Sequence, residues 1–279
     1  MKTRKLILFF SLFANLAFGQ QQDFEKYIIK HKDWKKTENT QWEIHLKNNK
    51  GSLLYYGAEH LDDPAHAQFK AIKQRWDRFK PTVAFFEGPD RGIAANDTLT
   101  IQKFGESGYV RFLAKQAGVK TVGLEPSPVA LYAYLCSKYP QQQVDLYLLS
   151  KEATRLRTRK ELNKEQITVE LNKIIAVSTK MLGKELAIQT IDQLAEVFKQ
   201  QFGNTLAWWE APSSWFDPRD TDENTSFTNK LATLSTEYRN IYMVGILAEY
   251  VNKGEKVFAV IGRNHVPLQE PALKYAIGL

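Results

Sequence analysis

Two segments of the chain repeat one unit: an apolar run, a glycine, two further residues and a histidine. They are Leu53-Leu-Tyr-Tyr-Gly57-Ala-Glu-His60 and Phe258-Ala-Val-Ile-Gly262-Arg-Asn-His265. A short apolar run of this kind reads as a buried strand, and the glycine lets the backbone turn sharply where the strand ends. Two more runs end on a carboxylate, Val83-Ala-Phe-Phe-Glu87 and Thr121-Val-Gly-Leu-Glu125. Strands this uniformly apolar need cover on both faces, which helices packed on a parallel sheet provide. The expected fold is therefore α/β, a central β-sheet with flanking helices.

The segments between these runs agree. Trp42-Glu-Ile-His-Leu46 alternates like a half-buried strand, and Asn48-Asn-Lys-Gly51 is a turn into Ser52-Leu-Leu-Tyr-Tyr56, a β-hairpin ending on Gly57. Pro64 suits the first turn of a helix, and Phe69, Ile72, Trp76 and Phe79 recur at helical spacing until Pro81. A strand at 82–86, a helix around 108–116 and a strand at 120–124 follow. Strand, helix, strand, helix is the rhythm of a sheet with crossover helices.

Residues 127–202 turn helical. The charge run at 151–165 reads as a solvated helix face, and a helical insertion is expected at about 138–202 of a single domain spanning 20–279. A loop rich in Trp and Pro (Trp208, Trp209, Pro212, Trp215, Pro218) precedes helices from about 223 to 251, and Lys256-Val-Phe-Ala-Val-Ile261 is the last strand.

Residues 1–19 run from a basic start (Lys2, Arg4, Lys5) through an apolar stretch to the small residues Ala17 and Gly19, the pattern of a cleavable signal peptide cut after Gly19. The apolar run is shorter than the ~20 residues of a bilayer span, so a periplasmic or secreted product without a stable membrane span is expected. Cys136 is the only cysteine, so no intramolecular disulfide forms and stability must come from a packed core. The formal charge of +7 includes the three basic residues of the leader and leaves +4 on the mature chain, too weak an excess to point to nucleic acid.

In open α/β sheets ligands bind at the carboxyl edge of the strands. His60 and His265 meet there if their strands are neighbours, and Glu87 and Glu125 end further strands at the same edge. A carboxylate after four apolar residues is expensive to bury unless it is paired with a cation, a metal or hydrogen-bond donors. Arg239, opening Arg239-Asn-Ile-Tyr-Met243 at the expected start of an apolar helix, can supply the positive charge. The competing reading makes each Glu a helix cap and each His a hydrogen-bonded structural residue; the recurrence of the whole unit weighs against it. His66, after Pro64, is a weaker third candidate, and His31 and His45 are expected to face solvent. Cys136 reads as a buried small hydrophobe.

In this order, Gly57 and His60, Glu87, Gly123-Leu-Glu125, Arg239-Asn240, and Gly262 and His265 resemble the TraB, Tiki and GumN group, within the wider set of erythromycin esterases and ChaN-like haem-binding proteins. The resemblance covers residues 53–273. Two departures are Pro126-Ser127 after Glu125, where many relatives have Thr, and Val266-Pro267-Leu268 in place of the commoner His-Leu-x-Gly. The resemblance implies a metal-dependent hydrolase of a peptide or small molecule, with a peptide or amide bond favoured over an ester as the bond cleaved and one of Glu87 and Glu125 as a further oxygen ligand. His60 and His265 would be ligands of a divalent cation (Mn, Co or Zn), and Glu87, Glu125 and Arg239 would be catalytic. It equally admits a metal-free His/Glu base, or a non-catalytic haem- or peptide-binding protein in which the Trp-rich loop lines the pocket and the cluster is a recognition site.

Overall fold

The computed structural model describes residues 23–33, 42–218 and 226–279; the expected leader and cleavage position lie outside them. Five strands form one mixed sheet: β1 (Glu43–Lys47), β2 (Ser52–Ala58), β3 (Val83–Phe86), β4 (Lys120–Gly123) and β5 (Lys256–Gly262), in the order β1-β2-β5-β3-β4. β1 is an antiparallel edge strand paired with β2 as the expected hairpin, and the other four are mutually parallel. The register aligns Ala58 with Gly262, and Phe86 with both Val260 and Gly123. All four parallel strands therefore end along one edge.

Eight α-helices accompany the sheet among the described residues: α1 (Ala67–Phe79), α2 (Asp97–Ala117), α3 (Pro128–Cys136), α4 (Gln141–Lys160), α5 (Lys164–Leu182), α6 (Ile191–Phe202), α7 (Phe227–Asn252) and α8 (His265–Ala276). Successive side chains of a strand point to opposite faces, and here both faces are apolar. Leu53, Tyr55, Phe85, Ala259 and Ile261 pack with α7 and α8 on one side. Leu54, Ala84, Phe86, Phe258 and Val260 pack with Phe69, Ile72 and Trp76 of α1 and Val110 of α2 on the other. A separate apolar cluster joins α4, α5 and α6 to the start of α7 through Leu231 and Ala232. No helix among the described residues is long and apolar enough to cross a membrane.

Three elements differ from the reading of the sequence. First, α2 begins eleven residues before Gly108, where Asn96 caps it by accepting from Leu99 N at 2.8 Å, and it is broken at Gly105 (φ 59°, ψ −151°). That conformation favours glycine, and a Cβ there would sit 3.0 Å from the Leu61 carbonyl oxygen. Second, α7 is one 26-residue helix with Arg239 in its middle, not at its start; the apolar run from Ile241 marks where the helix enters the core beneath the sheet. Third, His265 opens a helix. Pro267 sits in its first turn, where a missing N–H costs nothing.

The Trp loop is core. Trp208 is buried in the α4–α6 cluster with Trp209 and Trp215 packed against it, and Arg157 donates to the carbonyls of Trp209 (2.9 Å) and Ala211 (2.8 Å). The loop's tryptophans are not among the residues lining the two clefts that include His60. Cys136 is half-buried at the end of α3 and packs on the same cluster.

Phe85 is fully buried in β3 and meets Tyr250 of α7 edge-to-face at 5.1 Å. Phe85→Ala should cost roughly 3–5 kcal/mol through the cavity it leaves. The check is denaturant unfolding, with the slope unchanged and the midpoint lowered.

Candidate active site

The parallel register brings His60, Glu87, Glu125 and His265 together at the carboxyl edge, and α7 adds Arg239 from beneath. Arg239 donates from Nη2 to Glu87 Oε1 at 2.8 Å and from Nε to Glu125 Oε2 at 2.7 Å, with a further Nη2 contact to Glu125 Oε1. Burial works against the cation, but Glu125 and Glu87 outweigh it and keep Arg239 charged. Burial would likewise raise the Glu87 carboxyl; His265, Arg239 and the Gly262 N–H outweigh that and hold it below its ordinary value. The Gly262 N–H donates to Glu87 Oε2 at 2.7 Å.

Both glycines of the repeated unit are needed for space. A Cβ on Gly57 would stand 2.7 Å from Arg263 Cα and 2.9 Å from the Trp42 carbonyl oxygen. A Cβ on Gly262 would stand 3.1 Å from His60 Nε2 and 3.2 Å from Glu87 Oε2. His60 Nε2 and Glu87 Oε2 thus face the same point, and His265 Nε2 lies 4.0 Å from Glu87 Oε1.

Each imidazole is tethered through its other nitrogen. His60 Nδ1 donates to Glu106 Oε1 at 2.6 Å, since a carboxylate oxygen can only accept. His265 Nδ1 donates to Asn240 Oδ1 at 2.7 Å. Asn240 Oδ1 also accepts from Gln269 Nε2 at 2.8 Å, and Gln269 Oε1 accepts from the buried Tyr55 hydroxyl at 2.7 Å. This chain assigns the Asn240 amide and the His265 tautomer, so both Nε2 atoms carry lone pairs in the neutral rings. The electrostatics of the two rings differ. The Glu106 hydrogen bond raises the His60 pKa. Burial and the Arg239 charge push His265 down to about 4, so it is neutral at neutral pH.

Glu106 is the residue the sequence reading missed. Its carboxylate is almost fully buried, and it reaches His60 because the helix breaks at Gly105 immediately before it. The signal was Gly105-Glu106-Ser107-Gly108, two glycines inside an otherwise helical pattern, which marks a backbone with a special task. Ser107 Oγ donates to the Glu87 carbonyl oxygen at 2.7 Å, tying α2 to the end of β3. His66 does not join the site; its Nδ1 accepts from Gln68 N at 3.3 Å and caps α1. His45 is exposed, as expected, and pairs with Glu43. His31, expected to face solvent, is half-buried in the turn His31–Asp33, close enough that its charge disfavours protonation of His265. The lead-in reaches there because Ile29 N donates to Leu268 O at 2.9 Å, docking it on α8.

Two clefts flank His60. One, of about 310 Å³, includes Glu87, Glu106 and Glu125; the other, of about 380 Å³, includes Gly262, Arg263 and His265. Among the described residues no group of three or more His, Cys, Asp or Glu side chains is gathered tightly enough to form a metal site by itself.

The depressed His265 pKa links stability to pH. Unfolded His265 takes up a proton near pH 6.5 but the folded chain resists until about pH 4, so stability falls with pH across that window, by about 3 kcal/mol. The stability difference between the wild type and His265→Gln, measured by denaturant unfolding in chelator, should shrink by that order from pH 7 to pH 4. A difference independent of pH would contradict it. His60 contributes with the opposite sign and is common to both proteins.

No protein-family model, curated protein or solved structure matches the chain.

Proposed function

We propose that this chain is a hydrolase of peptide or amide bonds, with the reaction centred between His60, His265 and Glu87. The observation that carries the reading is the paired tethering of the imidazoles. Each commits Nδ1 to a side-chain oxygen, Glu106 or Asn240, and turns Nε2 toward Glu87. Ligating histidines are held in this manner, and so are histidines that act as bases.

The donor types suit a divalent cation such as Mn, Co or Zn: two imidazole nitrogens, one of them kept neutral, beside an ionised carboxylate. His60, His265 and Glu87 do not stand as a ready ligand set in this structure; a cation would have to draw them closer together, and held there it would lower the pKa of a water molecule. Glu125, at the rim of the same cluster, is then the carboxylate left to accept that proton. Arg239 supplies the positive charge expected of it: its Nε and Nη2 are engaged by Glu125 and Glu87, so its task is to hold both carboxylates in place and Glu87 ionised. The order of these residues along the chain is the basis for assigning the protein to the TraB, Tiki and GumN group.

A metal-free version is favoured by one observation, the Glu106–His60 hydrogen bond. A carboxylate behind an imidazole makes it a stronger base, and His60 would then take the proton of the attacking water itself. Export to the periplasm or outside the cell remains part of the proposal through the leader-like first nineteen residues.

Hydrolysis of a mixed peptide and ester panel, elemental analysis and melting temperature, read together on four proteins, test these roles. His60→Ala and His265→Ala should both abolish turnover while the fold persists; if metal is used, each should also lose it. Glu87→Gln should lose metal and turnover together as a ligand, or turnover alone as a base. Wild-type activity in both His variants would remove the mechanism.

A further inference from the structure

The 310 Å³ cleft is lined by three carboxylates and three guanidinium groups, and their partners are unequal. Every carboxylate is engaged. Glu87 accepts from Arg239 and the Gly262 N–H, Glu125 accepts from Arg239, and Glu106 accepts from His60. Of the guanidinium groups only Arg111 has partners: it donates to the Gly92 carbonyl oxygen at 3.0 Å, pairs with Asp90 at 3.2 Å and lies over the Phe86 ring, while its buried Nη1 is left without a hydrogen bond. Arg91 and Arg159 are exposed and make no hydrogen bond or ion pair among the described residues.

Both free cations have anchored backbones. Arg91 lies between Asp90 and Gly92, and Arg111 grips both neighbours; Asp90 Oδ1 also accepts from Gly92 N at 2.8 Å. Arg159 is in the last turn of α4, two residues after Arg157, which clamps that turn to the Trp209 and Ala211 carbonyls. Like charges crowd here. The Arg91 charge acts unfavourably on Arg111, and the Arg159 charge acts unfavourably on a protonated His60. The carboxylates of the cleft are already engaged, so two cations left without an ion-pair partner along its lining are relieved by an incoming anion, and guanidinium matches the planar geometry of a carboxylate.

We propose that this cleft recognises its ligand through a carboxylate held by Arg91 and Arg159, which places a peptide with its acidic end toward α4 and the rest of its chain toward His60. As a statement about substrate it rests on the hydrolase reading; as a statement about binding it stands without turnover. The carboxylate belongs either to the C-terminus of a peptide or to an acidic side chain, and the two sources separate by experiment.

The probe is a library of N-acetylated tetrapeptides with randomised side chains, prepared once as free acids and once as C-terminal amides. Retention by the protein is read by equilibrium ultrafiltration with mass spectrometry, and cleavage is read in the same samples. Wild-type protein should retain free acids about tenfold over amides, the worth of one charge-assisted contact. Enrichment of Asp- and Glu-containing amides would instead identify the side chain as the source and also support the proposal. Arg91→Gln with Arg159→Gln should erase the preference, and Arg159→Lys alone should keep part of it. Both residues are exposed and unpaired, so the fold should survive, as circular dichroism will check. Equal retention of acids and amides without acidic enrichment, retention of neither, or a preference untouched by the double variant would overturn the proposal. Retention without cleavage would remove the hydrolase and leave this site standing; cleavage without preference would do the reverse.

Discussion

The site depends on one half-buried cation. Arg239 rises from the middle of α7 and meets Glu87 and Glu125 where β3 and β4 end. Without it two carboxylates would face each other at the edge of an apolar core, and one would have to take up a proton. With it Glu87 stays ionised and can in addition accept the Gly262 N–H. Ion clusters of this sort add little net stability, because desolvation offsets the attraction. Removing one partner is another matter, costing about 3 kcal/mol or more, since it strands a charge. Stability alone would be served as well by apolar side chains, so the cluster makes sense as a means of placing an ionised carboxylate beside two histidines.

The same logic extends outward. Tyr55, Gln269 and Asn240 form a buried chain of hydrogen bonds that ends on His265 and sets its tautomer. Each link is made at 2.7–2.8 Å, and connected polar groups of this kind rigidify a core rather than weaken it. His60 is held by a single contact to Glu106 and is largely open to solvent, with 61% of its side chain exposed, against 13% for His265. One imidazole is built into the core and the other stands between two clefts, and the two share the lining of the larger one.

The sheet was legible because its signal is local. A strand buried on both faces has to be an apolar run, and the residue ending it is visible as the first that is not. That located His60, Glu87, Glu125 and His265. What escaped depends on contacts distant in sequence. Glu106 looks like any polar residue on a helix until the Gly105 break turns it toward a loop 46 positions earlier. Arg239 was recognised for its charge but misplaced, because the apolar run following it resembles a helix start, whereas the helix had begun at Phe227 over the separate α4–α6 cluster. The helix at His265 was hidden by Pro271, which reads as a breaker, although Pro267 was a fair start signal. In the Trp-rich loop the sequence left two readings open, a ligand wall or a core edge, and Trp208 is buried against α4 with Trp209 and Trp215 packed on the same cluster.

The division of labour between the two parts of the molecule follows from where the reacting groups sit. His60, Glu87, Glu125 and His265 all follow strands, and their supports, Glu106, Arg239, Asn240 and Gln269, come from α2, α7 and α8. The helices from α4 to α6 contribute one lining residue, Arg159, to the cleft beside His60. Their own core is separate from both faces of the sheet and touches it through the start of α7. Changes in that layer can therefore reshape what enters the cleft without moving the charges around Glu87. A fold in which chemistry is set by strand ends and selection by an attached helical layer can keep one site and serve different ligands.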